Sequence, residues 1–340
     1  MNKIQQEDID VFASNFSLNE LISDKKFLVT GATGLVGSTL VKCLLSLNVV
    51  DKITCPVRNI LKARQVFETY SDKIDFIECD LVTYLNDLTS EDAFDYVIHC
   101  ASPTNGKYMV EHPVETFMLA IETTRAILEH SRVSNPSGVV YISSLEYYGQ
   151  NEEDNIITED FQGYISNTDS RSSYPLGKRA AEYLCASYAR QFGVNAKVAR
   201  LTQTFGAGVS PDDNRVFAQF ARSILYEKDI ILHTKGDSAK PYCYVTDCVE
   251  AILFILLKGV PGEAYNVANQ DTYISVKDMA EFLRENFNPS INVVVEECPG
   301  MGYAPVTKLH LSSTKLMALG WKPRYDLEQM YSRLLDSYRL

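Results

Sequence analysis

With 340 residues, 46% of them apolar and 22% charged, the chain has material for a large buried core and the balance of an ordinary globular protein. A formal net charge of −12 excludes a general affinity for nucleic acid or anionic membrane, though not local phosphate binding by backbone N–H groups and single arginines. Eight scattered cysteines without a Cys-x-x-Cys pair argue for a reducing compartment, and no apolar run approaches the ~18 residues that cross a bilayer. The N-terminus carries Glu7, Asp8 and Asp10 in place of an apolar signal-peptide core, so a soluble, cytoplasmic protein is expected.

Residues 1–25 carry a weak helical pattern (Ile9, Phe12, Phe16, Leu21), expected as a helical extension beside the first strand. From Lys26 onward, apolar runs at 26–30, 52–57, 74–79, 95–100, 138–143 and 195–200 read as strands. Helical spacing fills 34–47, 59–70, 111–133 and 174–192 between them. Near-continuous apolar strands alternating with helices predict an α/β fold, a Rossmann-type doubly wound parallel sheet over 26–205. After residue 205 the rhythm breaks up, with a Gly/Pro/Asp loop, helices near 215–227, 247–258, 275–287 and 326–338, and strands at 230–232 and 264–267. Residues 206–340 are expected to form a smaller, discontinuous α/β cap that closes a substrate cleft at the C-terminal edge of the sheet.

The first strand runs into Thr30-Gly31-Ala32-Thr33-Gly34-Leu35-Val36-Gly37 and then a helix. Strand, glycine turn and helix in that order make a dinucleotide phosphate site: Gly31 for the turn, Gly34 for backbone approach to the pyrophosphate, Gly37 for close helix–strand packing. The second strand ends Val57-Arg58-Asn59, with arginine where NAD proteins place a carboxylate, so NADP(H) is expected, NAD being the alternative. A solvated surface arginine is the competing reading of Arg58. Asp80-Leu81 closes the third strand beside the adenine, and Ala101-Ser102-Pro103 closes the fourth, where small residues let the cofactor pass.

Tyr174 and Lys178 stand at i and i+4 on one helix face, where the ammonium is expected to lower the phenol's pKa for proton exchange with a sugar hydroxyl or carbonyl. At the fifth strand's end, Ser144 is placed to hydrogen-bond the reacting oxygen, and Glu146 to act as a general base or to be an ordinary loop carboxylate. No metal spacing joins the five histidines, and His99 and Trp321 read as structural.

These motifs, with Ser143-Ser144-Leu145-Glu146-Tyr147-Tyr148-Gly149, Val198-Ala199-Arg200, Tyr242-Cys243-Tyr244-Val245-Thr246-Asp247 and Leu319-Gly320-Trp321, resemble the extended short-chain dehydrogenase/reductases of the nucleotide-sugar epimerase/dehydratase group. Ala101-Ser102-Pro103, Glu146, Arg171-Ser172-Ser173-Tyr174 and Asn214-Arg215-Val216 make the UDP-glucuronate decarboxylase branch look nearest. The resemblance implies a bound NAD(P), a nucleoside-diphosphate sugar oxidised transiently at C4, and a homodimer through the helices at 111–133 and 174–192. It places Leu201 with the cofactor, and Thr104, Arg200, Arg215, Val216, Phe217 and Lys240 with the substrate. A core role for Phe217 and Phe220 fits their pattern equally well. Several positions depart from the group. Leu145 stands where dehydratases carry an aspartic acid, and Lys240 where an arginine usually meets the nucleotide phosphates. Gln203 replaces an asparagine, and Thr307-Lys308 stand where the decarboxylases carry an arginine. A one-way NADPH-dependent reductase of a nucleotide-linked keto sugar is the runner-up, favoured by Arg58; a non-catalytic dinucleotide sensor is a third reading, opposed by Ser144, Tyr174 and Lys178.

Overall fold

The structure, a computed structural model, describes residues 1–298 and 305–339. In chain order the elements are α1 (Lys3–Asn15), α2 (Asn19–Ile22), β1 (Lys26–Thr30), α3 (Leu35–Ser46), β2 (Lys52–Val57), α4 (Ile60–Val66), β3 (Ile74–Glu78), α5 (Leu81–Asp87), β4 (Tyr96–His99) and α6 (Gly106–Glu111). There follow α7 (Pro113–Ser134), β5 (Gly138–Ser144), β6 (Ile156–Ile157), α8 (Ser173–Phe192), β7 (Ala196–Leu201), β8 (Gln203–Phe205), α9 (Val216–Leu225), β9 (Ile230–Leu232) and β10 (Ala239–Tyr244). The chain ends with α10 (Val245–Lys258), β11 (Ala264–Val267), β12 (Asn269–Ser275), α11 (Val276–Phe287), β13 (Val293–Val295), β14 (His310–Leu311), α12 (Thr314–Met317) and α13 (Leu327–Arg339).

Seven strands form one sheet in the order β11-β7-β5-β4-β1-β2-β3, every neighbouring pair parallel. The alternation of buried side chains explains why both faces need helices. Phe27 and Val29 enter a core shared with Leu40, Leu44 and the buried face of α10. Leu28, between them, enters a second core with Ala126, Ile127 and Ala181 of α7 and α8. The order of strands reverses between β1 and β4, which opens a crevice at their C-terminal ends, where such sheets take ligands.

Two placements differ from the sequence expectation. The strand at 264–267, expected in the cap, is the seventh strand of the main sheet, paired with β7; α10 likewise packs with α3 against it. Parallel pairing is non-local, and local pattern does not encode which sheet a four-residue apolar run joins. The N-terminal helix lies not beside β1 but across α3, α10 and α13, because Ile9, Phe12 and Phe16 on its apolar stripe enter the core with Phe254. The rest of the C-terminal part forms the cap: a sheet β12-β10-β8 with α9, α11 and α13 around a core of Phe205, Phe217, Tyr242, Met279 and Tyr331. Among the described residues no helix is long and apolar enough to cross a membrane.

Candidate active site

At the crevice, Gly31 has φ +69°, and a Cβ there would lie 2.7 Å from Ala101 N. Only glycine takes this turn at this distance from the β4 loop. A Cβ on Gly37 would stand 2.3 Å from Gly31 O, so helix and turn touch backbone to backbone. Gly34 is the N-cap of α3 and supplies no side-chain bond to its first N–H groups. By contrast α4 and α5, which follow the next two strands, are capped by Asn59 and Asp80. The uncapped N-terminus of α3, with Thr33, Leu35 and Val36 around it, therefore fits a pyrophosphate. Arg58 is exposed at the end of β2, while Asp80 spends Oδ1 on the Thr83 N–H (3.0 Å) and hydroxyl (3.0 Å). Ala101, Ser102 and Pro103 line the β4 side, half-buried, and Leu201 ends β7 opposite Ser144. His99 is structural, as expected: its ring lies between Thr30 Oγ1 (2.6 Å) and Thr123 Oγ1 (2.9 Å), and burial pulls its pKa to about 3.

Tyr174, on the first turn of α8, is brought together with Ser144 at the end of β5 and Ser102 after β4, whose hydroxyls favour its ionised form. Ser144 Oγ also accepts the N–H of Glu146 (3.2 Å). Lys178 is 2% exposed, donates to Ile142 O (2.7 Å) and lies 4.7 and 5.4 Å from the ring centres of Tyr141 and Tyr174. The phenol is not acidified in the way the i, i+4 spacing predicts. Burial, and then the Glu146 carboxylate, push Tyr174 up, and the two serines only partly offset this. Burial lowers Lys178 to about 8, and its charge acts first on Glu182 and then on Cys100 and Glu146. Glu146 opens into the cleft, and its carboxyl is raised by desolvation against the pull of Lys240, Arg171 and Lys178.

Arg200 is not a substrate contact. It is 4% exposed, and its guanidinium is consumed by Glu182 (2.8 Å), the Tyr148 hydroxyl (3.0 Å) and Glu159 O (2.6 Å), stacked 3.5 Å from the Tyr147 ring centre. Arg179 donates to the carbonyls of Tyr147 (2.7 Å) and Gly163 (2.8 Å). Two arginines thus clamp the 3-10 turn Leu145–Tyr148 that presents Glu146. Glu182 and Arg179 went unmarked in the sequence, and Tyr148 stood out only as part of the Ser143–Gly149 motif; the one signal for Glu182 was its place at Lys178+4 on the same helix face.

Phe217 is a core residue too, 1% exposed and stacked on Phe205 at 4.7 Å, as is Phe220. Arg215 and Val216 open α9 at the cap surface, with Arg215 paired to Asp213 (2.6 Å); Thr104 is exposed beyond the β4 loop. Leu145 is buried with Tyr147, Ile157 and Leu309 and offers no acid to the cleft. Trp321 is an anchor, fully buried and donating to Asp247 O (2.9 Å). A cavity of about 570 Å³ lies elsewhere, between the cap and the segment of Glu152 and Asp154; it contains none of these residues, and its lining sets Glu152, Asp154, Asp237 and Asp278 against Lys277 and Lys308.

A seven-stranded doubly wound sheet, an uncapped phosphate helix and a Ser–Tyr–Lys set at its edge define a dinucleotide-dependent enzyme of the extended short-chain dehydrogenase/reductase class. The sequence profile of the NAD dependent epimerase/dehydratase family matches residues 27–268, and the chain belongs to that family. It is 27% identical to UDP-glucuronic acid decarboxylase 6 of Arabidopsis thaliana, over 94% of this chain and 90% of that one. It is 23% identical to dTDP-D-glucose 4,6-dehydratase of Homo sapiens, over 93% and 90%. Its fold is similar to that of UDP-glucose 4-epimerase of Thermotoga maritima, solved with UDP-glucose (TM-score 0.78, 23% identity, 92% and 98% covered). It is also similar to that of UDP-glucuronic acid 4-epimerase of Bacillus cereus, solved with NAD (TM-score 0.73, 21% identity, 92% and 98% covered).

Proposed function

We propose that the protein modifies a nucleoside-diphosphate sugar by reversible oxidation at C4, the 4-keto sugar being transient. The observation that carries this reading is the convergence of Tyr174, Ser144 and Ser102 at the dinucleotide crevice with Glu146 beside them. A bound nicotinamide supplies the hydride acceptor and donor. Tyr174 takes and returns the proton of the C4 hydroxyl, Ser144 and Ser102 hold that oxygen, and Lys178 keeps positive charge beneath the phenol. Glu146 is placed to move a proton at the neighbouring carbon, which the C4 ketone acidifies. Leu145 cannot protonate a leaving hydroxyl, so epimerisation or decarboxylation fits this site better than 4,6-dehydration.

Arg58 supports NADP(H) over NAD, since guanidinium pairs with a 2′-phosphate and no carboxylate occupies its position. It also supports the second reading, a one-way NADPH-dependent reductase of a nucleotide-linked keto sugar. Nicotinamide that co-purifies and is unchanged after turnover fits the first reading; stoichiometric loss of NADPH absorbance fits the second. The scattered thiols, free among the described residues, support a cytoplasmic setting, and α7 and α8 support a homodimer.

A thermal-shift screen of UDP-, dTDP-, GDP- and CDP-sugars identifies the nucleotide by the rise in melting temperature. With the sugar so found, Tyr174→Phe is expected to lower kcat by at least about 10²-fold while dinucleotide affinity stays near wild type. An unchanged rate would remove Tyr174 from the chemistry.

A further inference from the structure

Ser143, Arg200 and Asn266 make a polar row across the main sheet. Ser143 on β5 is in register with Arg200 on β7, and Arg200 with Asn266 on β11. In-register partners share a face of the sheet. All three are buried, and their neighbours along the strands (Ile142, Ala199, Leu201, Tyr265 and Val267) are apolar. On α8 the row meets Glu182, itself buried, one turn past Lys178 and two past Tyr174. The Glu182 carboxylate accepts the Ser143 hydroxyl and two N–H groups of Arg200, Nε at 3.0 Å and Nη2 at 2.8 Å. The remaining arm of Arg200 reaches the active-site turn. Its Nη1 donates to the Tyr148 hydroxyl (3.0 Å) and to Glu159 O (2.6 Å), while the guanidinium stacks 3.5 Å from the Tyr147 ring centre. The Tyr148 hydroxyl donates in turn to Asn266 Oδ1 (2.5 Å), and Asn266 Nδ2 donates to Ser312 O (3.0 Å).

We propose that Glu182 and Arg200 are positioning residues, which fix the Ser144–Glu146 end of β5 relative to the Tyr174–Lys178 face of α8 without contacting substrate. This rests on the reading of Tyr174, Ser144 and Glu146 as the groups around the reacting sugar. Ser143 stands next to Ser144, so its bond to Glu182 ties the strand end to the helix that carries Tyr174. Glu146, exposed to the cleft, takes its place from the backbone of a turn whose next two residues, Tyr147 and Tyr148, rest on Arg200. One carboxylate–guanidinium pair therefore sets both placements. Stability alone does not account for it. Burying two charges costs desolvation that apolar side chains of the same volume avoid, and such replacements are often neutral or stabilising. What apolar packing lacks is direction. The planar fork has fixed geometry, so its two bonds to Glu182 aim the third nitrogen at Tyr148. A misplacement of about 1 Å, even one that starts away from the reacting atoms, can cost ~10²-fold in rate.

The test uses the full chain and three variants. Arg200→Met with Glu182→Leu removes both charges together; Arg200→Lys keeps the ion pair and loses the fork; Tyr148→Phe keeps the pair and cuts its link to the turn. Urea unfolding reads stability, hydrogen exchange with mass spectrometry reads the amides of residues 143–150, and turnover is measured with UDP-glucose, UDP-glucuronate and dTDP-glucose. The urea midpoint is expected to stay near wild type. Exchange over 143–150 is expected to rise by about tenfold or more, with that of β1 and α3 unchanged. The kcat is expected to fall by about tenfold or more while KM stays within about threefold. Wild-type exchange at the turn, or wild-type kcat, in the charge-free variant overturns the proposal; should that variant not fold, the same outcomes in Arg200→Lys and Tyr148→Phe overturn it. So does a loss in which stability, KM, kcat and exchange throughout the sheet move together, which would make the pair an ordinary core contact. Wild-type protein that turns over none of the three sugars would instead count against the functional reading, and exchange at the turn would still decide whether the pair holds it.

Discussion

Arg58 is exposed at the end of β2, followed by Asn59, whose side chain caps α4 by accepting the Lys62 N–H (2.9 Å). The nearest carboxylate on the adjoining strand, Glu78, accepts the Ile60 N–H (3.1 Å). On the NADP(H) reading proposed above, the exposed Arg58 guanidinium is the group that would pair with the added phosphate. Arg58→Ala is expected to weaken NADP(H) binding by about tenfold or more and NAD(H) binding far less, as read by fluorescence titration of both reduced cofactors. Equal losses would remove the preference for the phosphorylated form. Arg200 shows why the same residue type could be misread. Its position at the end of an apolar strand was legible, but its partners Glu182, Tyr148 and Glu159 come from three other segments. A buried, paired arginine and a substrate-binding arginine look alike until those partners are placed. Removing Glu182 alone would leave an uncompensated buried charge under the Glu146 turn.

The elements that were legible are those whose pattern is local. Strands covered on both faces are continuous apolar runs, so β1 to β5 and β7 could be read within a residue or two, and the glycine turn with them. Strands of two or three residues such as β6, β8 and β14 carry no periodicity, and β11 could be seen but not assigned to its sheet. The role of α1 was hidden for a related reason: its apolar stripe was visible, but its polar attachment was not. Asp8, 2% exposed, accepts from the Tyr244 hydroxyl (2.5 Å) and from Arg333 of α13, and Asn2 Nδ2 reaches Ala207 O (3.1 Å). The helix thus joins the cap to the layer that holds the cofactor helix. Burial outweighs both partners and lifts the Asp8 carboxyl from 3.8 to about 6. A folded-state pKa above the unfolded one favours the protonated form, so this stability is present at low pH and is lost as pH rises through about 6. Between pH 4.5 and 7 the loss amounts to about 2 kcal/mol. Asp8→Asn, which stays neutral, is therefore expected to be better tolerated at pH 7 than at pH 4.5 in urea unfolding; a larger penalty at pH 7 would mean that the Arg333 pair, not burial, dominates.

At the scale of the whole molecule, the two faces of the main sheet are covered unequally. On one face α3 and α10 are themselves overlaid by α1. On the other, α7 and α8 pack on the sheet and on each other so closely that a Cβ at Gly177 would lie 3.3 Å from the Ala120 side chain. Their outer surface exposes Val114 (68%), Met118 (38%) and Tyr183 (72%), with Ile121, Leu176 and Ala180 half-buried at helical spacing between them. A stripe of this kind on two parallel neighbouring helices suits a twofold partner, because each copy then offers the same surface to the other and the contact closes. Sedimentation of the wild-type protein is expected to give twice the mass of the chain. Val114→Glu with Tyr183→Glu places four like charges in the contact and is expected to yield a monomer whose melting temperature, unlike that of the wild type, no longer rises with protein concentration. Tyr174 lies on the same helix as Tyr183, nine residues earlier and facing inward, so the monomer is also expected to bind dinucleotide less tightly as the first turn of α8 loses its outer support. A wild-type monomer across the micromolar range would show that α7 and α8 are not the interface.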